Sequence, residues 1–433
     1  MNVVRQPAIA LGVFLAFSAA TTEAAAPAQE TTILRCGGIV DVVAGRVSGP
    51  GTIVVRGERI ESVAGAAAPE GAKVIDLGSL TCLPGLMDLH AHIVINPDTL
   101  SGSNLDRSSA ARALDALHNA QVMLEAGFTT LRDPGDFDRY YATVAVRDAI
   151  ASGKAVGPRL FVAPHALGPT GGHGDFNNLA DDLHIDVPTR VANGPDEIRR
   201  TIREEVKYGA DWIKVMATGG VMSAGDDPRL TAYTDEEMHA AVDETHRLGR
   251  KITVHAIGTE GIKSAVRAGV DCVEHAVLID DETIDLMKQR GTWLVPTLYV
   301  LNYIIDNGAA MGFPEESINK GRALRAERDK RISRAFKAGV KVAFGSDTIF
   351  PHGEAVREFA ELVKLGLSPA DAVRAATINA AQVLGIADEA GTLERGKVAD
   401  IVAVNANPLQ DIRTLERVQF VMKSGHLIKH VSH

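Results

Sequence analysis

Residues 251–277 read KITVHAIGTEGIKSAVRAGVDCVEHAV, and this stretch decides the architecture. A short apolar run, "KITVHAIG", leads into a helical stretch that stops at Gly269, and a second apolar run, "DCVEHAVL", follows. Two buried strands joined through a helix read as a parallel pair, because a parallel connection needs a long crossover. Each run carries a histidine near its end, His255 and His275. Outward in both directions the same unit recurs. The runs are "LMDLHAHI" (86–93), "FTTLRDPG" (128–135), "PRLFVAP" (158–164), "DWIKVMAT" (211–218), "GTWLVPTL" (291–298) and "KVAFGSDT" (341–348). Helical stretches such as 108–127 and 234–249 separate them. Several end at a glycine just before the next strand, at Gly127, Gly249 and Gly339. Eight such repeats fit an α/β fold of the (β/α)8 TIM-barrel type better than an open doubly wound sheet.

The two ends of the chain have another character. Segments 31–42, 51–65 and 72–83 alternate apolar and polar residues and break at glycines, as do 399–409 and 418–430. They predict one small β-sandwich domain assembled from residues 29–82 and 393–433, around a barrel spanning 83–392. Residues 1–28 read as a signal peptide: Arg5, an apolar run over 8–20, then small Ala-rich residues, with cleavage expected between Ala19 and Ala28. The mature chain is therefore expected to be exported, periplasmic or secreted, without a membrane anchor. Of three cysteines, Cys36 and Cys82 form a candidate pair, while Cys272 reads as a small apolar packing residue.

Composition narrows the function. The 433 residues carry a net charge of −10 with scattered basic residues, which gives no electrostatic footprint for nucleic acid. Aromatic residues are 5 %, too few for base-stacking platforms. "GPTGGHGD" (168–175) is not followed by a convincing helix, so it is no phosphate loop.

Catalytic residues of such barrels sit at the C-terminal ends of the strands. His90 and His92 lie at the end of the first run, two apart, a spacing that puts both imidazoles on one face of an extended strand. Lys214 lies in the fourth, His255 in the fifth, His275 in the sixth and Asp347 in the eighth. A lone histidine is more often a satisfied rim or core residue, and a lone lysine a surface one. Residues that can bind metal at matching places on five strands are another matter, and Lys214 sits in an apolar strand where a surface lysine fits badly.

These residues carry a resemblance. "PGLMDLHAH" (84–92) resembles the first motif of the amidohydrolase superfamily, and residues 369–409 resemble its last helix and return into the β-domain. Within that superfamily "GPTGGHGD", Lys214 and residues 255–277 resemble the imidazolonepropionase-like group containing Xaa-Pro dipeptidases, arginine/lysine carboxypeptidases and ochratoxin hydrolases. The resemblance implies two divalent metal ions, Zn²⁺ foremost. His90, His92 and Asp347 would hold the first and His255 and His275 the second, with Lys214 bridging as an N-carboxylated lysine. Two cations ~3.5–4 Å apart need shared anions, and a carbamate supplies two oxygens where an ammonium would add repulsion. A bridging hydroxide would be the nucleophile, Asp347 the proton shuttle and His173 the group that polarises the scissile carbonyl.

The lysine favours a hydrolase of amides or esters over mononuclear deaminases. The expected function is hydrolysis of dipeptides or N-acyl amino acids, including ochratoxin-type amides, by a protein that forms homo-oligomers as its relatives do. For the substrate carboxylate the candidates are Arg229, Tyr233 and backbone N–H groups of 218–225, with His352 a further pocket candidate. His165 reads as a possible rim residue. A lactonase or cyclic-amide hydrolase on the same site, and a non-catalytic scaffold, stand as alternatives.

Overall fold

The computed structural model describes residues 30–431 except 64–70, 96–106, 137, 176, 178, 179, 181 and 183–189. The signal-peptide reading falls outside the described residues. Two β-sheets hold the chain ends together. A four-stranded sheet orders Arg59–Val63, Gly51–Arg56, Thr31–Cys36 and Lys73–Asp76. A six-stranded sheet runs His426–His430, Val418–Lys423, Ile401–Val404, Thr81–Pro84, Gly38–Asp41 and Arg46–Ser48. The second interleaves N- and C-terminal strands: Ile401–Val404 pairs antiparallel with Thr81–Pro84 on one side and with Val418–Lys423 on the other. Both faces of its central strands are apolar and buried, and Ile53, Val55, Ile401, Phe420 and Met422 share one core between the sheets. Cys36 and Cys82 are joined in a disulfide, with Cα atoms 6.0 Å apart, and Cys272 is free and buried.

The middle of the chain is α/β. Leu86–Asp88, Phe128–Asp133 and Arg159–Val162 pair in parallel. A second parallel series runs Ala166–Gly168, Trp212–Met216, Lys251–Ala256, Cys272–His275 and Trp293–Val295. Hydrogen bonds link the two series. Asp211 donates its backbone N–H to Val162 (2.8 Å), while a parallel bridge joins Leu294 to Val342 and Leu89 donates to Phe344 (3.0 Å). The strands therefore succeed one another through to the first. The crossover helices follow from local signals. Thr234 and Glu237 form a reciprocal capping box at the start of Asp235–Arg247. Gly269, at φ 97°, closes Thr259–Ala268 where a side chain would be strained.

Two expectations need correction. The first strand ends at Asp88, so His90 and His92 lie past its regular part. The eighth run forms only the bridge at Val342, because it closes the series across backbone bonds to Leu89 and Leu294 and then turns away at Asp347.

Candidate active site and metal centre

The strand ends converge on a cavity of about 160 Å³ whose floor is His90, His92, Lys214, His255, His275 and Asp347. His90 Nε2 and His92 Nε2 lie 3.2 Å apart, and Asp347 Oδ1 lies 3.6 Å from the first and 3.2 Å from the second. Ligand atoms of His90, His275 and Asp347 fall within 4.8 Å of one another. The rings of His90 and His275 are 5.2 Å apart, those of His255 and His275 4.7 Å.

Each imidazole is held by its far nitrogen. His90 Nδ1 donates to Glu274 Oε2 (2.7 Å) and His92 Nδ1 to the Gly135 carbonyl (2.6 Å). His275 Nδ1 meets Thr297 Oγ1 (2.6 Å), while His255 uses Nε2 on the Gly219 carbonyl (3.1 Å). The proton fixed on one nitrogen leaves a lone pair on the other. This is the bonding pattern of metal-ligating histidines. His90, His255 and His275 are all kept neutral. Burial lowers the first two well below the usual imidazole range and brings His275 to about 4. For His92 burial opposes charge, but the Asp347 carboxylate outweighs it and raises the pKa. Burial also opposes the charge of Asp347, yet the surrounding imidazoles hold it well below the carboxylate range.

The backbone is bent to make this arrangement. His275, Thr297 and Asp347 adopt φ of 67°, 44° and 58°, a region non-glycine residues avoid, at three strand ends around one cavity. Asp347 is pinned there by its N–H, which donates to the His90 carbonyl (2.6 Å). Gly345 lets the eighth run pass His90: a Cβ there would stand 2.4 Å from Val295 Cγ1 and 2.9 Å from His90 Cβ.

Lys214 is 2 % exposed, and its Nζ hydrogen-bonds no described residue. Burial lowers its pKa, which favours the neutral amine. A neutral amine is the form that takes up CO2 as a carbamate. The donor set of imidazole nitrogens and carboxylate oxygen fits a divalent ion.

Beneath the floor lies a layer that the sequence reading missed. Glu274, wholly buried, takes Arg132 Nη2 (2.5 Å) and the Thr253 hydroxyl on Oε1, with His90 on Oε2. Arg132 in turn donates to the Leu89 carbonyl (2.7 Å) and lies 4.5 Å from the Trp212 ring centre. Opposite charges in the apolar runs "FTTLRD" and "CVEH" were the available signal, since two such residues survive burial only as a pair.

His173 also faces the cavity, its ring 4.3 Å from that of His255. Ser223 Oγ lies 2.8 Å from His173 Nδ1 and 2.7 Å from both Asp226 oxygens. The carboxylate takes the serine proton, so the ring must donate from Nδ1, and Nε2 is left as the working atom. Lys320 fixes the relay from outside by donating to the Ser223 carbonyl (2.9 Å), the Asp226 carbonyl (2.8 Å) and Asp226 Oδ1 (3.3 Å). Gly220 makes room, as a Cβ would lie 2.2 Å from His173 Nδ1. Burial lowers the His173 pKa to about 4 against the pull of Asp226, so the resting ring is an acceptor at Nε2.

Other candidates lie elsewhere. Arg229 is exposed in an outer groove beside Asp227, 3.7 Å away, and does not line the cavity. Tyr233 is buried and donates its hydroxyl to the Ala192 carbonyl (2.9 Å). His352 is buried behind His92, with Nε2 3.1 Å from the His92 carbonyl, where it supports the ligand strand rather than a substrate. His165 is buried against Glu205, both carboxylate oxygens 3.0 Å from Nδ1, and is not a rim residue. Within 218–225, the N–H groups of Gly219 and Gly220 are taken by the Leu230 carbonyl and Asp226. For Tyr233, His352 and His165 the direction of the side chain is set by a partner distant in sequence.

Residues 81–428 match the family model described as the amidohydrolase family. The chain belongs to the amidohydrolase family. It is 34 % identical to the ochratoxinase of Aspergillus niger over 369 residues, covering 80 % of this chain and 75 % of the other. A solved Xaa-Pro dipeptidase with bound methionine in its active site superposes with a TM-score of 0.86 at 36 % identity, over 92 % of this chain and 99 % of that one. A solved prolidase complexed with N-methylphosphonate-L-proline gives 0.85 at 32 %, over 93 % and 100 %. This amidohydrolase is a hydrolase of amide or peptide C–N bonds.

Proposed function

We propose that this amidohydrolase uses two divalent metal ions to cleave the amide bond of dipeptides or N-acyl amino acids. In this reading the parallel strands form a (β/α)8 TIM barrel, and the chain ends form a β-sandwich domain beside it. The observation that carries the proposal is the convergence of three neutral imidazoles, His92 beside Asp347, and a buried Lys214 on one cavity floor. His90, His92 and Asp347 would hold one ion, His255 and His275 the other, and Lys214 would bridge them as a carbamate, formed from its neutral amine and CO2 with loss of a proton. When bound, the ions supply Lewis acidity to the scissile carbonyl and to the attacking water. Nitrogen and oxygen donors of this kind suit Zn²⁺.

The chain's own groups complete the chemistry. Asp347, held as the carboxylate, takes a proton from the attacking water at its carboxylate oxygen and returns it to the leaving amine. His173, aimed by Ser223 and Asp226, would take a proton from solvent at Nε2 as negative charge develops on the carbonyl oxygen, and donate that N–H to it. Amino-acid-derived ligands and substrates in the names of the similar proteins support the amide class. The Cys36–Cys82 disulfide supports an exported, oxidising setting, and homo-oligomer formation belongs to the same proposal.

The test is metal content together with hydrolysis of dipeptides and N-acyl amino acids, in the wild type and in Lys214→Ala. Two ions per chain with turnover, both reduced by the substitution, are expected. One ion that survives Lys214→Ala refutes the bridge. Two ions with turnover of lactones alone refute the amide assignment.

A further inference from the structure

Above the polar floor the cavity is lined by apolar side chains, among them Val221, Met222, Ile257, Val300, Leu301 and Ile304. One cation breaks this lining. Arg328 comes from the helix Glu315–Lys337, where Leu324, one turn earlier, also faces the cavity. Its side chain is 2 % exposed. A charge is costly to bury, and a lining arginine in an apolar chamber calls for an anion.

The partners already present do not use all its donors. Nη1 donates to the Leu298 carbonyl (2.7 Å), Nη2 to Asn302 Oδ1 (3.0 Å) and Asp329 Oδ1 (2.7 Å), and Nε to Asp329 Oδ1 (2.9 Å). Of five N–H groups, one on Nη1 has no partner among the described residues. Asp329 lies toward solvent, its side chain 32 % exposed, so part of its charge is screened from the chamber. The nearby buried carboxylate of Glu358 is occupied by the N–H groups of Leu298 (2.8 Å) and Tyr299 (2.6 Å). Among the described lining residues the only other Lys or Arg is Lys214, on the floor.

We propose that Arg328 is the anion subsite of this cavity. Its free Nη1–H receives the carboxylate of the amino acid released from the scissile amide, and the apolar chamber takes that amino acid's side chain. The preferred substrate is then an N-acyl amino acid or dipeptide ending in an apolar residue with a free carboxylate. This rests on the metal-centre reading above and adds the substrate's recognition element to it.

The experiment uses matched ligands on the metal-loaded protein. Hydrolysis of an N-acyl-leucine is compared with that of the same amide of 3-methylbutylamine, which lacks only the carboxylate. Binding of free leucine is compared with leucinol by calorimetry, a readout that needs no turnover. The wild type is expected to favour both carboxylates. Arg328→Met should reduce kcat/KM for the carboxylate substrate, through KM, by about 10- to 100-fold more than for the amine-derived amide, and abolish the preference for leucine over leucinol. Arg328→Lys, which keeps a cation, should restore part of the preference. An equal fall on both amides would overturn the proposal and make Arg328 a clamp between helices. If Arg328→Met does not fold, equal binding of leucine and leucinol to the wild type overturns it alone. Tighter binding of leucine with no hydrolysis of either amide would leave the subsite standing and remove the function above.

Discussion

Glu274 makes the most exacting prediction, because every atom around its carboxylate is a donor. Arg132 and Thr253 meet Oε1 and His90 Nδ1 meets Oε2, all without solvent. Glu274→Gln preserves shape and changes one oxygen to an amide nitrogen. In either orientation the fully buried guanidinium loses its counter-charge, and if the nitrogen faces Arg132 and Thr253, donor also opposes donor. Removing one partner of such a pair costs about 3–5 kcal/mol. If it faces His90 instead, the imidazole must move its proton to Nε2, the atom that points at Asp347 and His92. A ligand with its lone pair blocked cannot bind, and disturbed partners of metal-ligating histidines typically lower metal affinity about 10–100-fold. Both orientations are unfavourable, by different routes. The assays are the urea unfolding midpoint of the metal-free protein and metal content after dialysis against graded chelator. A large drop in stability with affinity intact indicates the first orientation, and a fall in both indicates the second. A Glu274→Gln protein that keeps both wild-type stability and wild-type metal affinity would refute the reasoning outright.

Two further outcomes test other parts of the site. Ser223→Ala cuts the relay between His173 and Asp226 but touches none of the proposed metal ligands. Steady-state kinetics should show kcat falling about 10- to 100-fold with metal content unchanged, up to the lower end of the roughly 10²–10⁴-fold a positioned acid–base group contributes, and Ser223→Thr should recover part of it. Asp136, beside the cavity, is pushed by burial up to about 6. The folded chain then holds a proton that the unfolded chain releases near pH 4, so this group's contribution to stability is present below that point and declines as pH rises toward 6. Denaturation midpoints of the wild type and Asp136→Asn between pH 4 and 7 should diverge in the variant's favour by up to about 3 kcal/mol as pH rises. A constant difference would show that the proton is not held.

What the sequence disclosed, and what it hid, follow from where each signal is stored. The candidate ligands were legible because the repeat itself indexes them: once eight strand–helix units are recognised, His255, His275 and Asp347 occupy equivalent ends, and chance does not place them there. Glu274 is adjacent to His275 and yet was passed over, because its role depends on Arg132, 142 residues away in sequence. Arg229 and Tyr233 failed for the complementary reason. A loop arginine and a tyrosine look suitable for a carboxylate, but the Ala192 carbonyl claims the tyrosine and solvent claims the arginine. Arg328 was passed over on a helix rich in Lys and Arg, although its place between Leu324 and Ile332 on the apolar stripe was the local signal that it turns inward. The disulfide was legible as a candidate pair among three cysteines, and the two β-sheets bring Cys36 and Cys82 together across 46 positions. Periodicity along the chain thus encodes the frame and whatever chemistry repeats with it. The groups that orient this chemistry and choose its substrate are encoded in pairs across the fold. Substitutions in those pairs, at Glu274, Ser223 and Arg328, are therefore where this site can change its activity while its ligand motif reads the same.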